Sequence, residues 1–162
     1  MIFGNIIILM VMIKDLSKIE SNDPCFSFNH DSTVSEIADL MDLKDIGAVP
    51  VLDSDNVLIG ILSERDIVRK LVKTGRDSDL VTANDIMTKE IKSIYLDTTV
   101  VEAQKIMTEN NIRHLPVVDA NNKLINFLSQ RDLIINSTKK NRRYMIISFF
   151  LLIFFTVLII LI

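Results

Sequence analysis

The chain has 162 residues, enough for one domain of ordinary size or for two small modules that share a core. Its formal net charge is -3 and its charges are interspersed, so it lacks the basic patch typical of nucleic-acid binding. Its single cysteine, Cys25, excludes an intramolecular disulfide and a cysteine-rich zinc site.

Residues 1–12 form an apolar N-terminal extension. The run Ile6–Ile13 is too short to span a membrane, and no small-residue cleavage site follows it, which disfavours a secretory signal. We interpret this extension as a strand or as the product of a wrongly assigned start, with the true start at Met10 or Met12.

The middle of the chain contains an internal repeat. The segment 33–68 aligns with the segment 99–134 without a gap when Thr33 is placed on Thr99, and 15 positions are identical. Each copy predicts a helix, two strands and a second helix. The first helix opens on Thr33 and Glu36, or Thr99 and Glu102, the pattern of an N-terminal capping box.

The strands of each copy flank a turn rich in Asp and Asn, which tolerate left-handed backbone. The predicted strands are Ala48–Leu52, Val57–Leu62, Leu115–Val118 and Lys123–Leu128. The second helices begin at Ser63 and Ser129. The first is predicted to carry Ile67, Val68 and Leu71 on one face, and the second Leu133 and Ile134.

A polar connector, residues 74–84, joins the copies and leads to a predicted strand at Ile91–Tyr95. Each copy has fewer than about 60 residues and would bury too little apolar surface to be stable alone. The copies are therefore predicted to pack against each other.

Two strings, IGAVPVLDSDNVLIGILSERDIV and IRHLPVVDANNKLINFLSQRDLI, resemble the CBS domain pair. The resemblance implies an α+β fold in which two β-α-β-β-α repeats, residues 13–73 and 85–138, pack as a pseudo-twofold pair. It also implies two clefts between the repeats that hold an adenosine-containing ligand such as AMP, ATP, NAD or S-adenosylmethionine. Proteins of this kind usually regulate another protein.

The same resemblance assigns the ribose and phosphate contacts. Ser63 with Asp66, and Ser129 with Asp132, match a Gly-x-x-Ser/Thr-x-x-Asp motif whose aspartate accepts the ribose hydroxyls and whose serine lies near phosphate. An ionised carboxylate has the acceptor oxygens that a vicinal diol needs. The same residues at a helix start also suit a capping box, so both interpretations stay open.

Arg113 and His114 stand where related pairs place basic residues that meet phosphate, and their counterparts Gly47 and Ala48 are uncharged. The alternative is that Arg113 is a solvated surface arginine and His114 a half-buried structural histidine. Asn126 replaces the glycine that Gly60 supplies in the first motif, and a side chain there is expected to crowd a ligand. The predicted adenine slots contain Ile46, Val49, Pro50, Val51, Ile112, Leu115, Pro116 and Val117.

The sequence contains neither a recognisable nucleophile with its base nor a convincing metal-ligand spacing. We therefore predict no catalytic residues, no metal site and no obligatory cofactor. The chain is predicted not to be an enzyme.

The C-terminal residues predict a membrane anchor. Tyr144–Ile162 is apolar on all sides, and its 18 residues from Met145 would form a helix about 27 Å long, close to the hydrocarbon thickness of a bilayer. The basic segment 139–143 precedes it, and the positive-inside rule then places the repeats in the cytoplasm.

The sequence as a whole predicts a single-pass, membrane-anchored regulatory module that senses an adenine nucleotide and signals its occupancy to an unidentified effector protein. The alternative is a ligand-free dimerisation or interaction scaffold. In either case we expect a homodimer and no nucleic-acid partner.

Overall fold

The computed structural model describes residues 11–21 and 25–134. Most of the N-terminal extension, the basic segment 139–143 and the predicted anchor Tyr144–Ile162 lie outside these residues. Among the described residues, no helix combines the length and apolar character needed to cross a bilayer.

The first repeat forms the predicted helix and hairpin. Thr33 Oγ1 accepts a hydrogen bond from the Glu36 amide at 3.2 Å, and Glu36 Oε2 accepts one from the Thr33 amide at 3.0 Å, which confirms the capping box. The elements are α1 Ser17–Glu20, β1 Phe28–Asn29, α2 Val34–Lys44, β2 Ala48–Leu52 and β3 Leu58–Ser63. β1 is parallel to β2, and β2 is antiparallel to β3.

The helix after β3 departs from the predicted single apolar face. It begins as α3, Glu64–Asp66, and continues through a π turn, Ile67–Leu71, in which the Val72 amide donates to the Ile67 carbonyl. The wider turn rotates the side chains relative to an α-helix. Leu71 is buried, whereas Val68 is 59% exposed.

The second repeat follows the same order. Its elements are α4 Ala83–Ile86, α5 Val100–Glu109, β4 His114–Val118 and β5 Leu124–Ser129, and residues 130–134 are helical. The predicted strand Ile91–Tyr95 is wrong, because only Ile94 pairs, with Val117. The Tyr95 amide instead donates to Thr98 Oγ1 at 3.1 Å and begins a turn.

Each repeat packs on the segment that precedes the other repeat. The Ile13 amide donates to the Thr98 carbonyl at 2.9 Å, ahead of α5. The Ala83 amide donates to the Ser32 carbonyl at 2.8 Å, ahead of α2. We call residues 11–16 and 81–87 the leading segments. The sequence predicts residues 81–84 as part of the polar connector, but Val81 and Ala83 are buried.

The leading segments complete two separate apolar cores. The core of the second repeat comprises Val11, Ile13, Leu16, Ile94, Val100, Ala103, Met107, Leu115, Val117, Leu128 and Leu133. That of the first repeat comprises Val34, Ile37, Met41, Val49, Val51, Leu62, Leu71, Val81, Ala83, Ile86 and Met87. Because each core includes residues from both halves of the chain, neither repeat is complete without the other.

The two hairpins also meet at their turns. The Leu58 amide donates to the Asn122 carbonyl at 3.1 Å, and Asn122 Nδ2 donates back to the Leu58 carbonyl at 3.0 Å. Asn56 and Asn122 adopt left-handed backbone, with φ of 61° and 60°. The Asp/Asn-rich sequences therefore form the predicted turns, and one of them joins the repeats.

Ile13→Ala tests the exchange of leading segments. Ile13 is fully buried, so its truncation is expected to lower the free energy of unfolding by about 2–5 kcal/mol. Amide hydrogen exchange should show earlier loss of protection in β4 and β5 than in β2 and β3. The exposed neighbour substitution Lys14→Ala serves as the control, and loss confined to β2 and β3 would contradict the exchange.

Candidate functional site

Two clefts lie between the repeats, and each joins a Ser/Asp motif to the loop before the first hairpin strand of the other repeat. The first cleft, a cavity of about 180 Å³, is lined by Gly47, Ala48, Ile61, Ser63, Glu64, Arg65, Asp66, Thr88, Glu90, Lys92, Asn111, Ile112, Arg113 and His114. The second, of about 700 Å³, is lined by Lys18, Asp45, Ile46, Gly47, Ala48, Glu64, Arg113, His114, Phe127, Ser129, Gln130, Arg131, Asp132 and Ile134.

In the first cleft, the Asp66 carboxylate accepts four bonds. Its Oδ2 accepts from the Ser63 amide at 3.1 Å and from Ser63 Oγ at 2.6 Å. Its Oδ1 accepts from Thr88 Oγ1 at 3.0 Å and pairs with Lys70 Nζ at 2.8 Å. Lys70 also donates to the Ile86 carbonyl at 2.8 Å, so Asp66 links its own helix to the leading segment of the second repeat.

In the second cleft, Asp132 makes the equivalent bonds. Its Oδ2 accepts from the amide and from Oγ of Ser129, both at 2.7 Å, and from Lys18 Nζ at 3.1 Å. Lys18 also donates to the Phe127 carbonyl at 2.9 Å. Both aspartates thus act in capping boxes while part of each carboxylate faces a cleft, with side-chain exposures of 13% for Asp66 and 22% for Asp132.

These contacts keep both carboxylates ionised. Burial alone would raise the pKa of Asp66, but hydrogen bonds from Lys70 and Ser63 outweigh it and lower the pKa below its usual value. Burial alone would also raise the pKa of Asp132, but hydrogen bonds from Ser129 and the charge of Lys18 outweigh it and lower the pKa. Each cleft therefore offers an anionic acceptor that is already paired with a lysine.

Arg113 and His114 line both clefts. This pair of residues therefore lies beside both Ser/Asp motifs. The His114 ring stacks on Phe127 with ring centres 5.5 Å apart and planes 4° apart. Burial lowers the pKa of His114, and the nearby charges of Arg113 and Lys18 lower it further. The imidazole is consequently neutral at pH 7, and Arg113 carries the positive charge of this loop.

The predicted adenine slots are partly corrected. Ile46 lines the second cleft and Ile112 the first, each opposite the motif of the other repeat. Four of the predicted residues are instead fully buried in the cores, because alternate side chains of β2 and β4 point away from the clefts: Val49, Val51, Leu115 and Val117. Pro50 and Pro116 are buried and line neither cleft.

Asn126 does not crowd either cleft, contrary to the expectation from the motif. Its Oδ1 accepts from the Phe127 amide at 2.7 Å, and the residue is 5% exposed. Gly60 is required for packing rather than for left-handed backbone, since an added Cβ would clash with the Met87 side chain. Ser17, directly after the first leading segment, corresponds to Met87 and has a smaller side chain.

Sequence reasoning missed Ile61, Phe127, Thr88 and the two lysines that pair with the aspartates. Ile61 and Phe127 each stand two residues before the motif serine, so strand alternation would have placed them on the cleft side. Lys18 corresponds to Thr88. These two residues are farther apart in the sequence than Thr33 and Thr99, because the spacing between the leading segments differs from the spacing between the repeats. Among the described residues, no cluster of His, Cys, Asp and Glu could hold a metal ion.

Known proteins share both the sequence and the fold. The chain is 40% identical over 102 residues to the uncharacterized protein MK0525 of Methanopyrus kandleri, covering 63% of this chain and 52% of that protein. It thus spans about half the length of this curated relative. A putative signal-transduction protein with CBS domains from Burkholderia ambifaria MC40-6 has 34% identity and a TM-score of 0.67, covering 75% of this chain and 87% of that one.

A third relative has bound ligands. The CBS domain pair of protein MJ0100, in complex with 5′-methylthioadenosine and S-adenosyl-L-methionine, has 25% identity and a TM-score of 0.65, covering 76% of this chain and 96% of that one. The model of the CBS domain family matches residues 13–73 and 83–138, more than half of the chain. The chain therefore belongs to the CBS domain family, and its two matched segments form one CBS domain pair.

Proposed function

We propose that this CBS pair is a regulatory module that binds an adenosine-containing ligand in its clefts and reports the occupancy to an effector protein. The observation that carries the proposal is the pairing across each cleft. A Ser/Asp motif from one repeat faces an apolar loop residue from the other, with Arg113 at the junction. This arrangement supplies a diol acceptor, an apolar surface for a base and a cation for phosphate.

The ligand class follows from that chemistry. Ile61 and Ile112 in the first cleft, and Ile46 and Phe127 in the second, offer apolar surface to adenine. The MJ0100 complex supports adenosine compounds as a class, and its two ligands carry no phosphate. Arg113 extends the candidates to AMP, ATP and NAD, because a guanidinium binds phosphate bidentately.

Ligand binding would alter a contact between the repeats. A ribose diol that bonds to Asp66 must share or replace bonds from Lys70 and Thr88, since four donors already occupy this carboxylate. Lys70 also holds the Ile86 carbonyl. Occupancy of the first cleft would therefore loosen a link to the leading segment of the second repeat, and this change is one that a partner can detect.

A ligand-free scaffold is the alternative function, and exposed apolar residues favour an assembly role in either case. Val68 and Ile134 occupy corresponding positions after the two motifs and are 59% and 51% exposed. Burying them against a second copy would give the homodimer that the sequence led us to expect.

We further propose that Tyr144–Ile162 anchors the module in a membrane with the CBS pair on the cytoplasmic side. Its support is the sequence: a membrane-length apolar run preceded by Lys139, Lys140, Arg142 and Arg143.

Substitution of the aspartates should separate ligand binding from capping. Asp66→Ala and Asp132→Ala are expected to weaken adenosine binding tenfold to a hundredfold, corresponding to about 1.5–3 kcal/mol for a hydrogen bond to a charged group. Loss of the cap alone would lower the apo protein's stability by about 1 kcal/mol and leave affinity intact. Calorimetric titration and thermal unfolding of the same variants measure both quantities.

Arg113→Ala is part of the same test and should weaken AMP and ATP far more than adenosine, because only the phosphate contact is lost. Asp39→Ala, on the exposed face of α2, controls for removal of a surface carboxylate. If no adenosine compound binds at millimolar concentration, the sensing function is excluded and the scaffold function replaces it.

Affinity for NAD should rise as the pH falls from neutrality into the acid range. His114 is neutral in the free protein because its pKa is lowered, and a bound phosphate favours the protonated ring, so binding takes up a proton. NAD is the suitable ligand because its pyrophosphate keeps a constant charge in this range. The aspartates stay ionised, since the pKa of each lies below its usual value.

The control for this pH dependence is His114→Asn, which keeps a polar side chain but cannot titrate. Titrations between pH 7.5 and about 5.5 should show a flat profile for the variant and a rise of less than about tenfold per pH unit for the wild type. Equal slopes in the two proteins would exclude His114 as the group that takes up the proton.

Protease added outside intact cells is expected to leave the CBS pair undigested, because the proposed topology places it in the cytoplasm. Neutral substitution of Lys139, Lys140, Arg142 and Arg143 should yield a protease-sensitive fraction, since these charges set the orientation. Digestion of the unmodified chain from outside would reverse the assigned topology.

A further inference from the structure

The two clefts share one wall. Five residues line both of them: Gly47, Ala48, Glu64, Arg113 and His114. The wall brings together the loops that enter β2 and β4. In each repeat, an equivalent hydrogen bond joins this loop to the residue that follows the hairpin. The Glu64 amide donates to the Gly47 carbonyl at 3.1 Å, and the Gln130 amide donates to the Arg113 carbonyl at 2.8 Å.

The repeats contribute unequal charges to this wall. In the alignment of the two repeats, Gly47 corresponds to Arg113, and Glu64 corresponds to Gln130. The first repeat therefore supplies a carboxylate where the second supplies an amide, and a glycine where the second supplies a guanidinium. Among the described residues that line both clefts, Arg113 is the one permanent cation.

Among the side chains that line one cleft alone, cations and anions are equal in number. The first cleft has the cations Arg65 and Lys92 and the anions Asp66 and Glu90. The second has the cations Lys18 and Arg131 and the anions Asp45 and Asp132. Arg113 is therefore the one permanent cation among these lining residues that a phosphate in either cleft can recruit, while Glu64 on the same wall would repel that phosphate.

We infer that the clefts are negatively coupled for phosphate-bearing ligands. A phosphate held by Arg113 in one cleft withdraws the guanidinium from the other, where a second phosphate then meets Glu64 and the charge of the first ligand. Adenosine, which carries no phosphate, fills both clefts without this penalty. The inference rests on the proposed function and adds to it a rule of occupancy: one phosphorylated nucleotide binds readily, and the second binds weakly.

Two-site calorimetry on the full chain, purified in detergent, tests this coupling with AMP and adenosine as probes. Asp66→Asn and Asp132→Asn each weaken one cleft and report the dissociation constant of the other. For independent clefts, the product of the two stepwise dissociation constants equals the product of the two single-cleft constants. For AMP, we expect the product of the stepwise dissociation constants to exceed the product of the single-cleft constants by about fivefold to a hundredfold, the usual range of coupling. For adenosine, we expect the two products to be equal.

A reciprocal variant tests the cause. Gly47→Arg with Glu64→Gln gives the first repeat the residues of the second, so each cleft can draw on its own guanidinium. The backbone at Gly47 does not require glycine, and an added Cβ would meet the flexible end of Glu64 at 3.1 Å. For AMP, the product of the stepwise dissociation constants should then equal the value expected for independent clefts. Gly47→Gln with Glu64→Gln adds similar bulk without charge and should keep the coupling.

The possible failures are distinguishable. Equal behaviour of AMP and adenosine in the unmodified chain overturns the coupling while leaving the proposed function intact. Persistence of the AMP coupling in the arginine variant overturns the role assigned to Arg113. If neither compound binds, the proposed function fails and the coupling fails with it.

Discussion

The exchange of leading segments is the constraint on which the rest of this structure depends. Ile13 and Leu16 fill the core of the second repeat, and Ala83 and Ile86 fill that of the first. Each half would otherwise expose an apolar face, which a module of this size could not offset with its remaining buried surface. The repeats are consequently held in one fixed arrangement, and the clefts are a product of that arrangement.

The position of the clefts explains why their chemistry combines residues far apart in the sequence. Lys18 reaches Asp132 because the first leading segment crosses to the second repeat, and Thr88 reaches Asp66 because the second segment crosses back. The carboxylates that cap the two helices are therefore the ones to which we assign the ribose in the proposed function. Each aspartate fixes a helix start while a small part of its side chain, 13% for Asp66 and 22% for Asp132, stays exposed beside a cleft.

Local rules made much of the fold predictable. The capping box at Thr33, the left-handed turns at Asn56 and Asn122 and the hairpin strands depend on neighbouring residues, and all of them formed. The Ser/Asp motifs were found because the repeat keeps a constant offset. The structure also places each of them at a cleft, although their use by a ligand stays a prediction.

The failures involve contacts between distant segments. Val49 and Val51 are predicted in a base slot because they flank Pro50, but β2 is apolar on both faces and periodicity does not reveal which face meets the core. The pairing of Lys18 with Asp132 was missed because the leading segments do not share the constant offset of the repeats. Ile91–Tyr95 has the composition of a strand but gains only one paired residue, since the following turn takes the Tyr95 amide.

The crossed segments have a consequence for how such a chain arises. One repeat with its own leading segment could satisfy its core only by exchanging that segment with a second copy, as in a domain-swapped dimer. Covalent fusion turns this bimolecular exchange into an intramolecular one, with an effective concentration in the millimolar range for a short connection. Fusion makes the assembly insensitive to dilution, and it frees the halves to diverge, as the arginine in one loop and the glycine in the other illustrate.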